Sequence, residues 1–357
     1  MRFHKNLAYL QPQQFQQSIP PPIAYNILTS EKQKMSLPFS NNINSLNTAI
    51  NVWSNCTIAD DRSQILTWLS PLEPRLQHRD IQNRRVEGVG EWLLQTDEFR
   101  SWYAGNEGGE CDNAVLFCYG NPGVGKTYIR CEGRALRSKR KGQVLTSRDV
   151  SSLVIDSLCD QARGKNASVA CFYFNFAAQK EQSPTNILGS LLKQVVAGLG
   201  EVPEEVAKAY EDQKKVIGGR APQLPDVVKM LHTTSSEKPT FICIDALDEC
   251  AAEYRVKILD SLNPLLQKCP GLRIFVTGRP HIQPEIEKRL SGRVTTISIT
   301  PGRGDVIRYL RARLNEDTNP DAMDSSLEAD ILKKIPEDIS EMYVEATTPQ
   351  KLPQVFH

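Results

Sequence analysis

The chain has 357 residues, of which 40% are hydrophobic and 24% charged, and its formal net charge is +1. That length suits one large or two ordinary domains, and the near-neutral charge argues against a dedicated nucleic-acid binder. No uninterrupted apolar run approaches the ~18 residues of a membrane span, and the opening "MRFHKNLAYLQPQQFQQ" lacks the apolar core of a secretion signal. Nine cysteines form no CxxC pair and five histidines stand isolated. This usage points to a reduced, cytoplasmic setting with no Cys/His metal centre.

Residues 1–60 are rich in Gln, Pro, Asn and Ser with weak periodicity, the composition of a disordered or loosely ordered segment. A helical lead-in is expected over 61–110. In "ADDRSQILTWLSPLEP" an Asp can cap a helix carrying Ile65, Leu66 and Leu69. "VEGVGEWLLQTDEFRSWY" reads as a second helix, with Val89, Trp92, Leu93 and Phe99 on one face. From 111 to 300 short apolar runs alternate with helical segments. The runs are "NAVLFCYG", "SVACFYFNF", "TFICIDALD", "LRIFVTGRP" and "VTTISIT". Nearly continuous apolar runs suit strands buried on both faces of a parallel sheet. Strands alternating with amphipathic helices such as "PTNILGSLLKQVVAGL" predict an α/β fold, an open five-stranded, mostly parallel sheet flanked by helices. Residues 301–343 begin a further helical region, and the polar, Pro-containing 344–357 reads as an aberrant tail.

Three elements carry chemistry. Gly120-Asn121-Pro122-Gly123-Val124-Gly125-Lys126-Thr127 fits G-x-x-x-x-G-K-[ST] in full and follows an apolar run. The pattern has a physical cause. Backbone N–H groups must converge on phosphate oxygens, so glycine is needed where a side chain would clash. Lys126 would place an ammonium on the β- and γ-phosphates, Thr127 would offer a hydroxyl to Mg²⁺, and the next helix would aim its positive end at the anion. The second element, Phe241-Ile242-Cys243-Ile244-Asp245, is a buried strand delivering an acid at its carboxyl end, where ligands sit in open α/β sheets. Asp245 would hold Mg²⁺, and Asp248 or Glu249 could activate an attacking water. The third is "FVTGRP", where Thr277 and Arg279 are candidates to sense a γ-phosphate.

Together "GNPGVGKT", "FICIDALDEC" and "RIFVTGRPH" resemble the NACHT-type NTPases of fungi, of the STAND class. More narrowly they look like the nephrocystin-3 N-terminal-like group. The lead-in from "ILTWLSPLEP" to "EFRSW" and the segment "NPDAMDSSLEADILKKIPEDISEM" are similar to that group as well, so the resemblance spans about 62–343. It implies a phosphate-loop strand between others and an acid-bearing strand beside the sensor strand. It also implies a signalling switch in which ATP or GTP binding and slow hydrolysis control self-association. It puts phosphate binding on Gly120 to Thr127, Mg²⁺ on Thr127 and Asp245, water activation on Asp248 or Glu249, and γ-phosphate sensing on Arg279. Repeat-domain partners, the sensors of such switches, are expected downstream and would be missing from this chain. A fragment without switching activity is the alternative reading, and a small-molecule kinase using the same loop is disfavoured by the paired acids.

One block departs from the resemblance. "RCEGRALRSKRKGQVLTSRDV", residues 130–150, holds seven Lys or Arg against two acids and separates Ile129 from Ser151. Without it, Ile129, Leu153, Val154 and Leu158 would share one helical face. A retained intron is one reading: the codons at Arg130-Cys131 and Ser151 can carry splice-site strings, and the block is a whole number of codons. A real surface insertion is the other. With the block present, the expectation is a weaker phosphate site, because the loop and its helix act as one unit.

Overall fold

The structure is a computed structural model that describes residues 61–105, 113–120, 147–290, 292–300, 302–315 and 325–347. All fall in one compact unit, Ser54–His357. The expected loose segment at 1–60 and residues 348–357 of the tail lie outside the described residues, as does most of the 130–150 block.

The five apolar runs are the five strands: β1 (Val115–Tyr119), β2 (Ser168–Tyr173), β3 (Thr240–Asp245), β4 (Leu272–Gly278) and β5 (Val294–Ser298). They form one sheet in the order β2-β3-β4-β1-β5, and every neighbouring pair is parallel. β1, which leads into the phosphate-loop sequence, lies between β4 and β5. The acid-bearing β3 lies beside β4. The neighbour relations implied by the resemblance therefore hold.

Alternation along each strand splits the core into two layers. Val115 and Phe117 of β1, Ile242 and Ile244 of β3, and Ile274 and Val276 of β4 face one layer. That layer is covered by residues 61–69 (α1), α5 (Pro184–Ala197), α7 (Leu224–Ser236) and α8 (Ala252–Lys268). Leu116, Cys118, Phe241, Cys243 and Phe275 face the other. There they meet α3 (Asp97–Ala104), α4 (Ser147–Ala162) and α10 (Arg303–Asn315). Both faces are buried, which is why the strands read as continuous apolar runs. The remaining helices are α2 (Pro74–Gln82), α6 (Glu204–Lys214), α9 (Gln283–Arg289) and α11 (Ser325–Thr347).

Three local expectations differ from the structure. The helix expected over "VEGVGEWLLQTDEFRSWY" is a 3₁₀ turn, Glu91–Gln95, followed by α3. Gly88 and Gly90 have φ of 76° and 85°, which no helix accommodates, and the Thr96 hydroxyl accepts the Phe99 N–H at 3.2 Å to start a new helix. Val89, Leu93 and Phe99 are nonetheless buried, because the turn and α3 press on the same layer. On α4 the buried stripe is Val150, Val154, Ile155 and Leu158, whereas Leu153 is only half-buried. α11 runs on to Thr347, past the 344 boundary set for the tail, and tolerates Pro336 inside it.

Candidate functional site

β3 ends in Asp245 and β4 passes Thr277 alongside it, so both lie at the carboxyl edge of the sheet. Asp245 is 1% exposed. Its Oδ1 accepts hydrogen bonds from the Ser151 hydroxyl at 2.6 Å and the Thr277 hydroxyl at 2.7 Å. Its Oδ2 is buried and accepts no hydrogen bond. The Arg148 guanidinium lies beside Oδ2, with Nε at 3.8 Å. Burial pushes the carboxyl above its ordinary range, against the hydrogen bonds from Ser151 and Thr277 and the charge of Arg148, while Glu249 adds to the rise. A buried carboxylate oxygen that accepts no hydrogen bond and lies 3.8 Å from a guanidinium is a place where positive charge is favoured.

Thr277 is fully buried. Its hydroxyl donates to Asp245 and accepts the Ala246 N–H at 3.0 Å. It is therefore committed inside the protein, where it positions the acid, and it is not placed as a phosphate sensor. Ala246 has φ 54°, a left-handed conformation that costs a non-glycine residue about 1–3 kcal/mol. The Thr277 bond holds that turn, and the turn sends the chain into the short 3₁₀ segment Leu247–Glu249.

That segment presents the two candidate water activators. The Asp248 side chain is 8% exposed and pairs with Arg279 Nε at 3.1 Å. Glu249 accepts the Phe176 N–H at 3.3 Å and lies 3.5 Å from Arg148 Nη2. The Glu249 carbonyl accepts from Gln179 Nε2 at 2.8 Å. Arg148 Nη2 also donates to the Phe174 carbonyl at 3.0 Å. The structure thus brings together Asp245, Asp248, Glu249 and Arg279 from β3, β4 and the turns that follow them, and adds Arg148 and Ser151 from α4.

Gly120 closes β1, and its N–H donates to the Gly278 carbonyl at 3.4 Å, which sets the start of the loop beside the end of β4. Asn121, Pro122, Gly123, Val124, Gly125, Lys126 and Thr127 lie outside the described residues. Sequence reasoning did not find the roles of Arg148 and Ser151. Both sit near a helix start some 95 residues before Asp245, and no local spacing links them to it.

A family model described as "Nephrocystin 3, N-terminal" matches residues 88–132 and 150–279. The unmatched stretch, 133–149, lies inside the block that separates Ile129 from Ser151. No curated protein matches the chain. Similar solved structures include the Orc1 protein of Aeropyrum pernix in complex with DNA, at 15% identity and TM-score 0.33, covering 78% of this chain and 64% of that one. The Walker-type ATPase of Pyrococcus abyssi is similar at 13% identity and TM-score 0.37, covering 69% and 65%. Drosophila ORC bound to DNA is similar at 14% identity and TM-score 0.34, covering 71% and 56%. This chain spans less than two thirds of the length of each of these three. A full phosphate-loop sequence behind β1, an acid ending β3 and a parallel sheet in this strand order make the chain a P-loop α/β module, similar over 88–132 and 150–279 to the nephrocystin 3 N-terminal family.

Proposed function

We propose that the chain is a nucleotide-binding signalling switch of the NACHT or STAND kind, which binds ATP or GTP with Mg²⁺ and hydrolyses it slowly. The observation that carries this reading is Asp245: a carboxylate 1% exposed, fixed by Ser151 and Thr277, with Oδ2 accepting no hydrogen bond. It stands at the sheet edge where β1 hands over to "GNPGVGKT". A buried carboxylate oxygen that accepts no hydrogen bond fits a hard divalent cation. Thr127 and Asp245 would hold Mg²⁺, which when bound neutralises phosphate charge. Gly120 to Thr127 would cradle the phosphates. Asp248 or Glu249 would accept the proton of the attacking water, and Arg279 would bind the γ-phosphate once released from Asp248.

The ion pair between Asp248 and Arg279 supports a resting state in which sensor and base restrain each other. Slow turnover follows from that restraint. The same pairing favours a second reading, a module that binds nucleotide and does not switch. The two differ in one observable: the switch hydrolyses faster per chain as protein concentration rises, and the inert module does not.

The direct test is a titration with fluorescent ATP and GTP analogues on the full chain and on Lys126→Ala. Loss of the ammonium is expected to weaken binding by about tenfold or more, on the scale of a lost charge-assisted contact. Equal affinity would remove the site assignment.

A further inference from the structure

The connection between α6 and α7 carries an apolar pair that neither the core nor the candidate site uses. α6 ends at Lys214 and α7 begins at Leu224, and the sequence between them opens "KVIGGR". Val216 is 50% exposed and Ile217 is fully exposed. Exposed apolar side chains that stand singly, such as Leu76 and Leu327, need no explanation. Two in succession at the tip of a turn are different. Turn geometry favours Gly, Asn, Asp or Ser and does not require them, and neither belongs to the buried layers.

The tip has a fixed shape. The Val216 N–H donates to the Gln213 carbonyl at 3.1 Å, and the Gly219 N–H donates back to the Val216 carbonyl at 2.9 Å. Gly218 and Gly219 have φ of 83° and 68°, a left-handed pair that reverses the chain. Gln213 Oε1 accepts the Arg220 N–H at 3.2 Å, and the Arg220 carbonyl accepts Trp68 Nε1 of α1 at 2.8 Å. Trp68 in turn packs edge-on against Tyr210 of α6. The apolar pair is thus held outward before any partner arrives, which lowers the entropy cost of contact.

Cations flank the pair on both sides. Lys214 is held by Glu211 at 2.9 Å and Asp61 at 3.7 Å, which leaves Lys215 and Arg220 as the charges that reach past the tip. Lys215 meets Asp212 at 2.7 Å, but that pair is exposed, and exposed pairs are weak enough to exchange partners. Glu211 and Asp212 stand about one helical turn further back along the chain. From the tip inward the order is apolar, cationic, acidic. A protein descending on an anionic bilayer meets its acyl boundary, headgroup phosphates and water in the matching order.

We propose that the α6–α7 tip seats the chain peripherally on an anionic lipid surface. Val216 and Ile217 enter the acyl boundary, and Lys215 and Arg220 lie against the headgroup phosphates. The contact is independent of the nucleotide-site reading.

The test is sedimentation of the full chain with vesicles of phosphatidylcholine alone and of phosphatidylcholine and phosphatidylserine in equal parts. The chain is expected to partition at least about tenfold better into the anionic vesicles. Ile217→Asp should lower that partition by about tenfold. The double variant Lys215→Glu, Arg220→Glu should remove the preference between the two lipids. All three side chains are exposed, so both variants should melt with the native chain. The lipid preference of the unaltered chain needs no variant at all. No partition into the anionic vesicles, or equal partition by Ile217→Asp, overturns the proposal. Sedimentation velocity without vesicles tests the other occupant: if the native chain self-associates and Ile217→Asp is monomeric, a second copy covers the tip and the membrane proposal is overturned.

Discussion

Thr277 shows how one hydroxyl can fix a site without touching a ligand. It donates to Asp245 Oδ1 and accepts from the Ala246 amide, tying the acid of β3 and the left-handed turn after it to β4. Thr277→Val keeps the shape and removes both bonds. Two buried polar groups lose a partner, so a loss of about 1–3 kcal/mol is expected in urea unfolding, together with weaker nucleotide binding because Asp245 is no longer held. Val at full stability and full affinity would show that Ser151 alone suffices. Asp245 itself was legible in the sequence, because four apolar residues ending in an acid describe a buried strand and its carboxyl end. The role of Thr277 was not legible. It depends on β3 and β4 being neighbours, and the two residues are 32 positions apart.

At the scale of elements, α2 docks on α4 through a polar cluster. Asp156 accepts from His78 Nε2 at 3.1 Å and from Arg85 Nη1 at 2.6 Å, and His78 Nδ1 lies 2.7 Å from the Tyr173 hydroxyl. Gln82 Nε2 adds a bond at 3.0 Å. Burial raises the Asp156 carboxyl, but the hydrogen bonds and charges of His78 and Arg85 outweigh it and hold it below its ordinary range. The unfolded chain therefore takes up the Asp156 proton at a higher pH than the folded one. The contribution to stability is full above the ordinary carboxylate value of about 4 and is lost as pH falls through the lower folded value. Urea midpoints of the native chain and Asp156→Asn should converge below about pH 4 and diverge above it; parallel curves would show the cluster contributes nothing. Close approach matters as much on the other layer. A Cβ on Gly189 of α5 would collide with the Leu69 carbonyl at the end of α1. Gly189→Ala is expected to destabilise by about 1–3 kcal/mol through overpacking, visible as a lowered melting temperature. Neither docking was predicted. Periodicity identified α1 and α5 as amphipathic, while the glycine contact is a property of how the pair packs. The break at Gly88 and Gly90 was missed because apolar spacing alone does not report φ.

On the scale of the whole molecule, the two apolar layers and the site form one linked system. The strands that carry the buried residues of both layers also present Asp245, Thr277 and Gly120 at their carboxyl ends. A ligand that binds only when these strands are assembled stabilises the entire sheet by mass action. Nucleotide at about 100 times its dissociation constant should add about 2.7 kcal/mol to the unfolding free energy, read as a rise in melting temperature. Lys126→Ala should show little rise at the same concentration. A shift of equal size in the variant would mean the ligand stabilises the chain elsewhere. Among the described residues no helix is long and apolar enough to cross a membrane.

The sequence by itself determined the fold class, the five strand positions and the identity of the acid at the sheet edge. Each is a local pattern: an apolar run of strand length, a turn, a charge in a fixed place relative to both. It also set 130–150 apart from the resemblance, although Ser147, Arg148, Asp149 and Val150 of that block form the first turn of α4 and Val150 is buried with it. Only the tertiary structure decided what faces the acid. Ser151, Thr277 and Arg148 converge on Asp245 from 94, 32 and 97 positions away, and such convergence is created by strand order and helix docking. Arg148 has the chemistry of a solvated surface cation when read along the chain. The docking of α4 against β3 places its Nε 3.8 Å from an Asp245 Oδ2 that accepts no hydrogen bond.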